Sequence, residues 1–176
     1  MSKKILEMNS DELKSDLSSG LITICVVGIG RIGLPTALSF ANSGLSTIGL
    51  DINEELVNNV NSGIYPLKDE PEYDKIFDKV ISEKKFVATT NIKESVSKAD
   101  IVLLSLPTPM DSNNIPDYTA LRLVGSQLSE HLQPGSLVIV ESTIEPGFVE
   151  NELISIIENS KNNLLAEKTF GIGVCR

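Results

Sequence analysis

The 176-residue sequence predicts an α/β fold, a doubly wound parallel sheet of six strands with helices on both faces. Three observations predict it: a glycine-punctuated turn at Val26–Phe40 between a strand pattern and a helix pattern, six short β-branched runs, and a helical or turn-rich stretch between successive runs. Helical connections of this kind return the chain in the same direction, so the crossovers are right-handed and the sheet is parallel.

The first 20 residues are charged, with Ile5, Leu6, Leu13 and Leu17 as apolar anchors, and read as a frayed leader or a short helix. Residues 21–176 read as a single domain. Leu21–Val27 is β-branched and lies between Gly20 and Gly28, as a buried strand does. A helix follows the glycine turn and ends at Gly44, a C-cap residue type, before a second strand at Ser46–Asp51. Leu56, Val57 and Val60 have helical spacing within Asn53–Ser62, which Gly63 ends. Pro66 and Pro71 mark a loop, and Glu72–Lys84 reads as a mixed-charge helix. A short strand at Phe86–Thr89 and a capped helix at Asn91–Lys98 come next. The near-continuous apolar run Asp100–Leu106 suits a parallel strand covered on both faces. Asp117 can cap a helix running to about His131, and Pro134–Gly135 turns the chain into a fifth strand at Ser136–Ser142. Glu145–Gly147 opens a helix with Phe148, Val149, Leu153, Ile156 and Ile157 on its apolar side, and Thr169–Cys175 is the sixth strand.

The glycine turn carries the chemistry. Gly28 permits the tight bend, Gly30 presents no side chain to an approaching phosphate, and Gly33 lets the helix lie close to the strand. Free amides of the first helical turn, aided by the helix dipole, suit a pyrophosphate. The second strand ends in Asp51, eighteen positions after Gly33. A carboxylate there accepts hydrogen bonds from the adenosine ribose and repels a 2′-phosphate, and no Arg or Lys follows nearby. This is a Rossmann-type nucleotide site, and it selects NAD over NADP. Ligands in such sheets bind at the carboxyl ends of the strands, so Thr90, Thr108 between two prolines, and Glu141, Ser142 and Thr143 are further candidates. Ordinary turn chemistry is the competing account of these residues.

Composition excludes other classes. The net charge of −9 opposes a nucleic-acid surface. No apolar run is long enough to span a bilayer and no signal-peptide pattern is present, which makes the cytoplasm the expected location. One histidine and two distant cysteines form no metal constellation. Cys25 and Cys175, both in apolar strand-like runs, are expected to be buried thiols, and His131 is expected at the surface near a helix end.

Four motifs in order, GIGRIGLPTA, LDIN, LPTPMDSNNIPDYTAL and VIVESTIEPG, resemble the N-terminal half of the nucleotide-sugar dehydrogenases of the UDP-glucose/GDP-mannose type over about Ile22 to Cys175. The branch that oxidises C6 of UDP-N-acetylmannosamine or UDP-N-acetylglucosamine fits, with UDP-glucose 6-dehydrogenases as near relatives. The resemblance implies oxidation of a sugar alcohol to a carboxylate with two NAD, through a cysteine thioester. It implies that Gly28, Gly30, Arg31, Ile32, Gly33 and Asp51 hold the adenosine and pyrophosphate, and that Thr108 and Thr143 touch the cofactor nearer its reactive end. Thr143 would also help to place the hydrolytic water. Arg31 stands where the family usually has tyrosine. The nucleophilic cysteine, the active-site lysine and asparagine, the central dimerisation helix and the sugar-binding domain all lie beyond residue 176 in the family. Cys175 matches a different segment, Cys-Pro-Glu-Arg, which follows the sixth strand. The chain is therefore expected to be the NAD-binding portion of such an enzyme, dimeric at full length and inactive alone. A UDP-glucose 6-dehydrogenase portion, or an NAD-binding module without chemistry, remains an alternative.

Overall fold

The computed structural model describes residues 4–69 and 71–175. The predicted architecture is present: strands β1 (Thr23–Val27), β2 (Ser46–Leu50), β3 (Phe86–Thr89), β4 (Ile101–Leu104), β5 (Leu137–Val140) and β6 (Gly171–Val174) pair in the order β3-β2-β1-β4-β5-β6. Every pairing is parallel. The chain starts in the middle of the sheet, builds outward to β3, then crosses back to β4. The switch point thus lies between β1 and β4, where a crevice opens at the carboxyl ends.

Among the described residues, α1 (Ser10–Ser18) precedes β1, and six α-helices lie between the strands: α2 (Gly33–Asn42), α3 (Glu54–Asn61), α4 (Asp74–Ser82), α5 (Ile92–Lys98), α6 (Thr119–His131) and α7 (Ile154–Glu158). Alternation along β1 sorts the two cores. Ile24 and Val26 pack with α2, α3 and α4 on one face, while Cys25 and Val27 join the cluster under α5, α6 and α7 on the other. Asn53 and Asn91 cap α3 and α5 by accepting the amides of Leu56 and Glu94. None of the helices among the described residues is long and apolar enough to cross a membrane.

Residues 4–20 are built into the structure. Asn9 and Glu12 form a reciprocal capping box on α1. Ile5 is buried in the α2-side core, and Leu13 and Leu17 pack against it.

Several details differ from the sequence reading. Cys175 is exposed at the end of β6, because the strand stops at Val174 and nothing among the described residues covers its end; only Cys25 is a buried thiol. His131 is partly buried rather than on the open surface, with Nε2 3.8 Å from Glu130. Helix α6 begins at Thr119 with Tyr118 in the cap position, although Asp117 still accepts the Thr119 amide at 2.8 Å. The helix after Pro146–Gly147 opens as a π-helical turn, Val149–Leu153, before α7. A period-3.6 apolar pattern carries no signal for that widened turn.

Candidate functional site: a nucleotide cleft at the carboxyl edge

One row of residues lies at the carboxyl edge of the sheet. The amides of Gly28, Ser105, Glu141 and Cys175 each extend the parallel ladder by donating to Leu50, Val27, Leu104 and Val140, and Asp51 donates likewise to Thr89. The fold thereby brings residues from positions 28 to 175 to a single rim.

The glycine turn is built as its sequence requires. Gly28 adopts φ +87°, a conformation that side-chain-bearing residues rarely take, and a Cβ there would stand 2.5 Å from the Ser105 carbonyl oxygen. A Cβ on Gly33 would collide with the Gly28 carbonyl. These two positions let α2 dock against β1. Gly30 is different: a Cβ on it would meet nothing within 4 Å, so the space above the turn is open. The Leu34 amide donates to the Gly30 carbonyl at 3.0 Å, while the amides of Gly30 and Ile32 take no hydrogen bond among the described residues. Open space bounded by undonated amides at a helix start suits a diphosphate.

Asp51 is oriented by the backbone. Its Oδ2 accepts the Ile29 amide and its Oδ1 the Asn53 amide, each at 3.0 Å. The carboxylate therefore stands beside the turn, with lone pairs left for further donors. Neighbouring Ile52 is almost wholly exposed, at 98 %.

Arg31 projects from the turn and pairs with Asp69 at 2.7 Å. Its guanidinium holds the Asp69 carboxyl below the usual carboxylate range. Both side chains are well exposed, so the pair contributes little to stability. Ile32 is exposed in the cap position of α2.

On the other side of the crevice the structure joins two of the predicted threonines: the Thr108 hydroxyl donates to the Thr143 carbonyl at 2.8 Å. Ser142 locks the same region from beneath, as its buried Oγ accepts the Leu106 amide at 2.9 Å and lies 3.2 Å from the Leu104 carbonyl. Thr90 is exposed after β3, separated from β1 by the whole of β2, and is not brought to the threonine pair. A cavity of about 450 Å³ lies between the ends of β5 and β6, bordered by Glu141, Thr143, Glu145, Glu150 and Cys175. Burial pushes the Cys25 thiol up to about 12, so it stays protonated and unreactive at neutral pH.

Glu141 is the residue whose importance the motifs understate. It continues the alternation of Leu137 and Ile139 and so faces the α2 side of the sheet, where an apolar residue would be the default. That break in the pattern is visible in the sequence. Its contact with Thr36 of α2 is not.

Comparison with known proteins agrees with this geometry. The model of the NAD-binding domain of the UDP-glucose/GDP-mannose dehydrogenase family matches residues 22–175. The chain belongs to this family. The UDP-N-acetyl-D-mannosamine dehydrogenase of Pyrococcus horikoshii is 36 % identical over 136 residues, covering 77 % of this chain and 32 % of that protein. A solved structure of the UDP-N-acetyl-mannosamine enzyme from P. horikoshii superposes with a TM-score of 0.80 at 33 % identity, over 87 % of this chain and 35 % of that one. The NDP-N-acetyl-D-galactosaminuronic acid dehydrogenase of Methanosarcina mazei gives a TM-score of 0.80 at 29 % identity, over 98 % of this chain and 37 % of that one. The chain thus spans about a third of the length of the curated relatives it matches. Residues 22–175 form an NAD-binding domain of the UDP-glucose/GDP-mannose dehydrogenase family, as the motifs predict. Residues 4–20 precede the matched segment.

Proposed function

We propose that this domain serves a UDP-N-acetyl-D-mannosamine dehydrogenase, oxidising the sugar's C6 alcohol to the carboxylate with two NAD in the cytoplasm, as part of a homodimer. The reading is carried by the Asp51 carboxylate, fixed by two backbone amides next to an open glycine turn. Relatives that carry this enzyme's name, from P. horikoshii, Campylobacter jejuni and Yersinia pestis, support the choice of sugar.

In this reading the amides of Gly30 and Ile32 and the N-terminus of α2 hold the pyrophosphate, and Arg31 adds a cation at the rim. Gly28 and Gly33 keep the turn close enough to do so. Asp51 accepts the adenosine ribose hydroxyls and excludes a 2′-phosphate by charge repulsion. Thr108 and Thr143, tied to each other, border the far half of the cofactor, with Thr90 as an outer contact on the adenosine side. Bound NAD supplies the hydride acceptor. Cys25 is buried and protonated and so does not serve as the thiol nucleophile, while the exposed Cys175 matches a different family segment, so in this reading the nucleophile is supplied from elsewhere in the enzyme. The 176 residues alone are expected to bind NAD without oxidising sugar.

Calorimetry tests the cofactor assignment: NAD should bind at least about tenfold more tightly than NADP, and equal affinities would overturn it. Incubation of the 176-residue chain with NAD and UDP-N-acetylmannosamine should yield no NADH, and steady production would refute the division of labour. In the full-length enzyme, UDP-N-acetylmannosamine should outpace UDP-glucose. The reverse order would reassign the sugar.

A further inference from the structure

Glu141 carries a buried oxygen with no donor. Its Oε2 is shielded from solvent and meets no hydrogen-bond partner among the described residues. Its other oxygen, Oε1, is 3.3 Å from the Thr36 hydroxyl. That hydroxyl also lies 3.1 Å from the Ile32 carbonyl, an acceptor with no proton to return. One hydroxyl proton serves one acceptor at a time, and the shorter contact is to Ile32. Neither oxygen of Glu141 therefore has a donor of its own. A buried acceptor in this condition carries an uncompensated desolvation cost, and such groups call for a missing partner.

Position indicates what the partner is. Glu141 lies at the end of β5, on the α2 face, beside the first turn of the helix that begins at the glycine turn. Asp51 lies at the end of β2, on the opposite side of β1. A dinucleotide with its adenosine over β2 and its pyrophosphate at the turn extends its other half across β4 toward β5. Glu141 also borders the cavity at that end of the sheet. In this half of the cofactor the nicotinamide carboxamide is the N–H donor, with two protons to offer a carboxylate.

Resting on the reading of the cleft given above, we propose that Glu141 is a cofactor-binding residue that accepts a hydrogen bond from the nicotinamide carboxamide. The carboxylate gives up its shared contact with Thr36 and turns toward the ligand, so that binding supplies the donor the free protein lacks. Glu141 then distinguishes an amide from an acid at the pyridine ring. Nicotinic acid adenine dinucleotide, which has a carboxylate there, is repelled.

The test is calorimetric titration of the chain and of Glu141→Gln with three ligands: NAD, nicotinic acid adenine dinucleotide, and ADP-ribose, which lacks the pyridine. Loss of a hydrogen bond to a charged acceptor should weaken NAD about tenfold in the variant. The glutamine amide can donate to the acid analogue, whose affinity should rise. ADP-ribose should bind both proteins alike, which also shows that the variant is folded. Three results would overturn the inference: NAD affinity unchanged, an equal loss for NAD and ADP-ribose, or an NAD loss with no gain for the acid analogue. Failure of ADP-ribose to bind the unaltered chain would instead overturn the placement of the adenosine and pyrophosphate.

Discussion

At the end of β2 the Asp51 carboxylate accepts two backbone amides at 3.0 Å, whereas at the end of β5 the Glu141 carboxylate shares one distant hydroxyl proton with a carbonyl. Both acids occupy the first position past a strand, on one rim of one sheet. Their difference separates an acid whose oxygens are supplied with donors by the chain's own amides from one left with an oxygen that meets no donor among the described residues. The turn, Asp51 and α2 are close in sequence, and short loops orient them. The β4–β5 side is assembled from segments far apart, tied through Ser142 and the Thr108–Thr143 link, and one acceptor remains unsatisfied there.

Breaking the first half should have the largest effect. Gly33→Ala drives a methyl into the Gly28 carbonyl and forces α2 away from β1, at a cost of about 3 kcal/mol in a denaturant melt. An unchanged midpoint would show that the close approach at the turn is dispensable. Asp51→Ala comes next. It strands the amides of Ile29 and Asn53, and should lower the stability of the ligand-free chain by about 1–2 kcal/mol while eroding the preference for NAD over NADP.

Glu141→Gln sharpens the contrast. Removing a charge that has no secured donor should leave the thermal midpoint of the ligand-free chain level or raised. A fall as large as that from Asp51→Ala would mean that both halves are equally complete. The smallest effect is expected at the surface pair Arg122–Glu152, where the guanidinium holds the Glu152 carboxyl below its ordinary value. A depressed carboxyl stabilises the fold above its unfolded value and loses that contribution as pH falls through the lowered one. Glu152→Gln should therefore melt slightly below the parent at pH 7 and coincide with it in acid. A gap that widens in acid would reverse the sign. Exposure of both side chains keeps the effect small.

The legibility of the molecule follows the same division. The glycine turn, the acid eighteen residues on, and the six apolar runs are short-range patterns, and each appears in the structure where the sequence puts it. Asn53 and Asn91 cap their helices as their residue types suggest. The π-helical turn at Val149–Leu153 was not legible, because widening one turn leaves the apolar periodicity intact. The exposure of Cys175 was not legible either, since a strand-like run does not say where the ladder stops or what covers its end.

By itself the sequence determined the elements, the glycine turn and the acid at the end of the second strand, because backbone sterics, capping and hydrophobic periodicity act over a few residues. Only the tertiary structure decided which distant groups meet. The strand order β3-β2-β1-β4-β5-β6 sets Glu141 beside Thr36, 105 residues away, and Thr108 against Thr143. Such contacts depend on how the sheet is wound, and winding minimises the free energy of the whole chain rather than of any local segment.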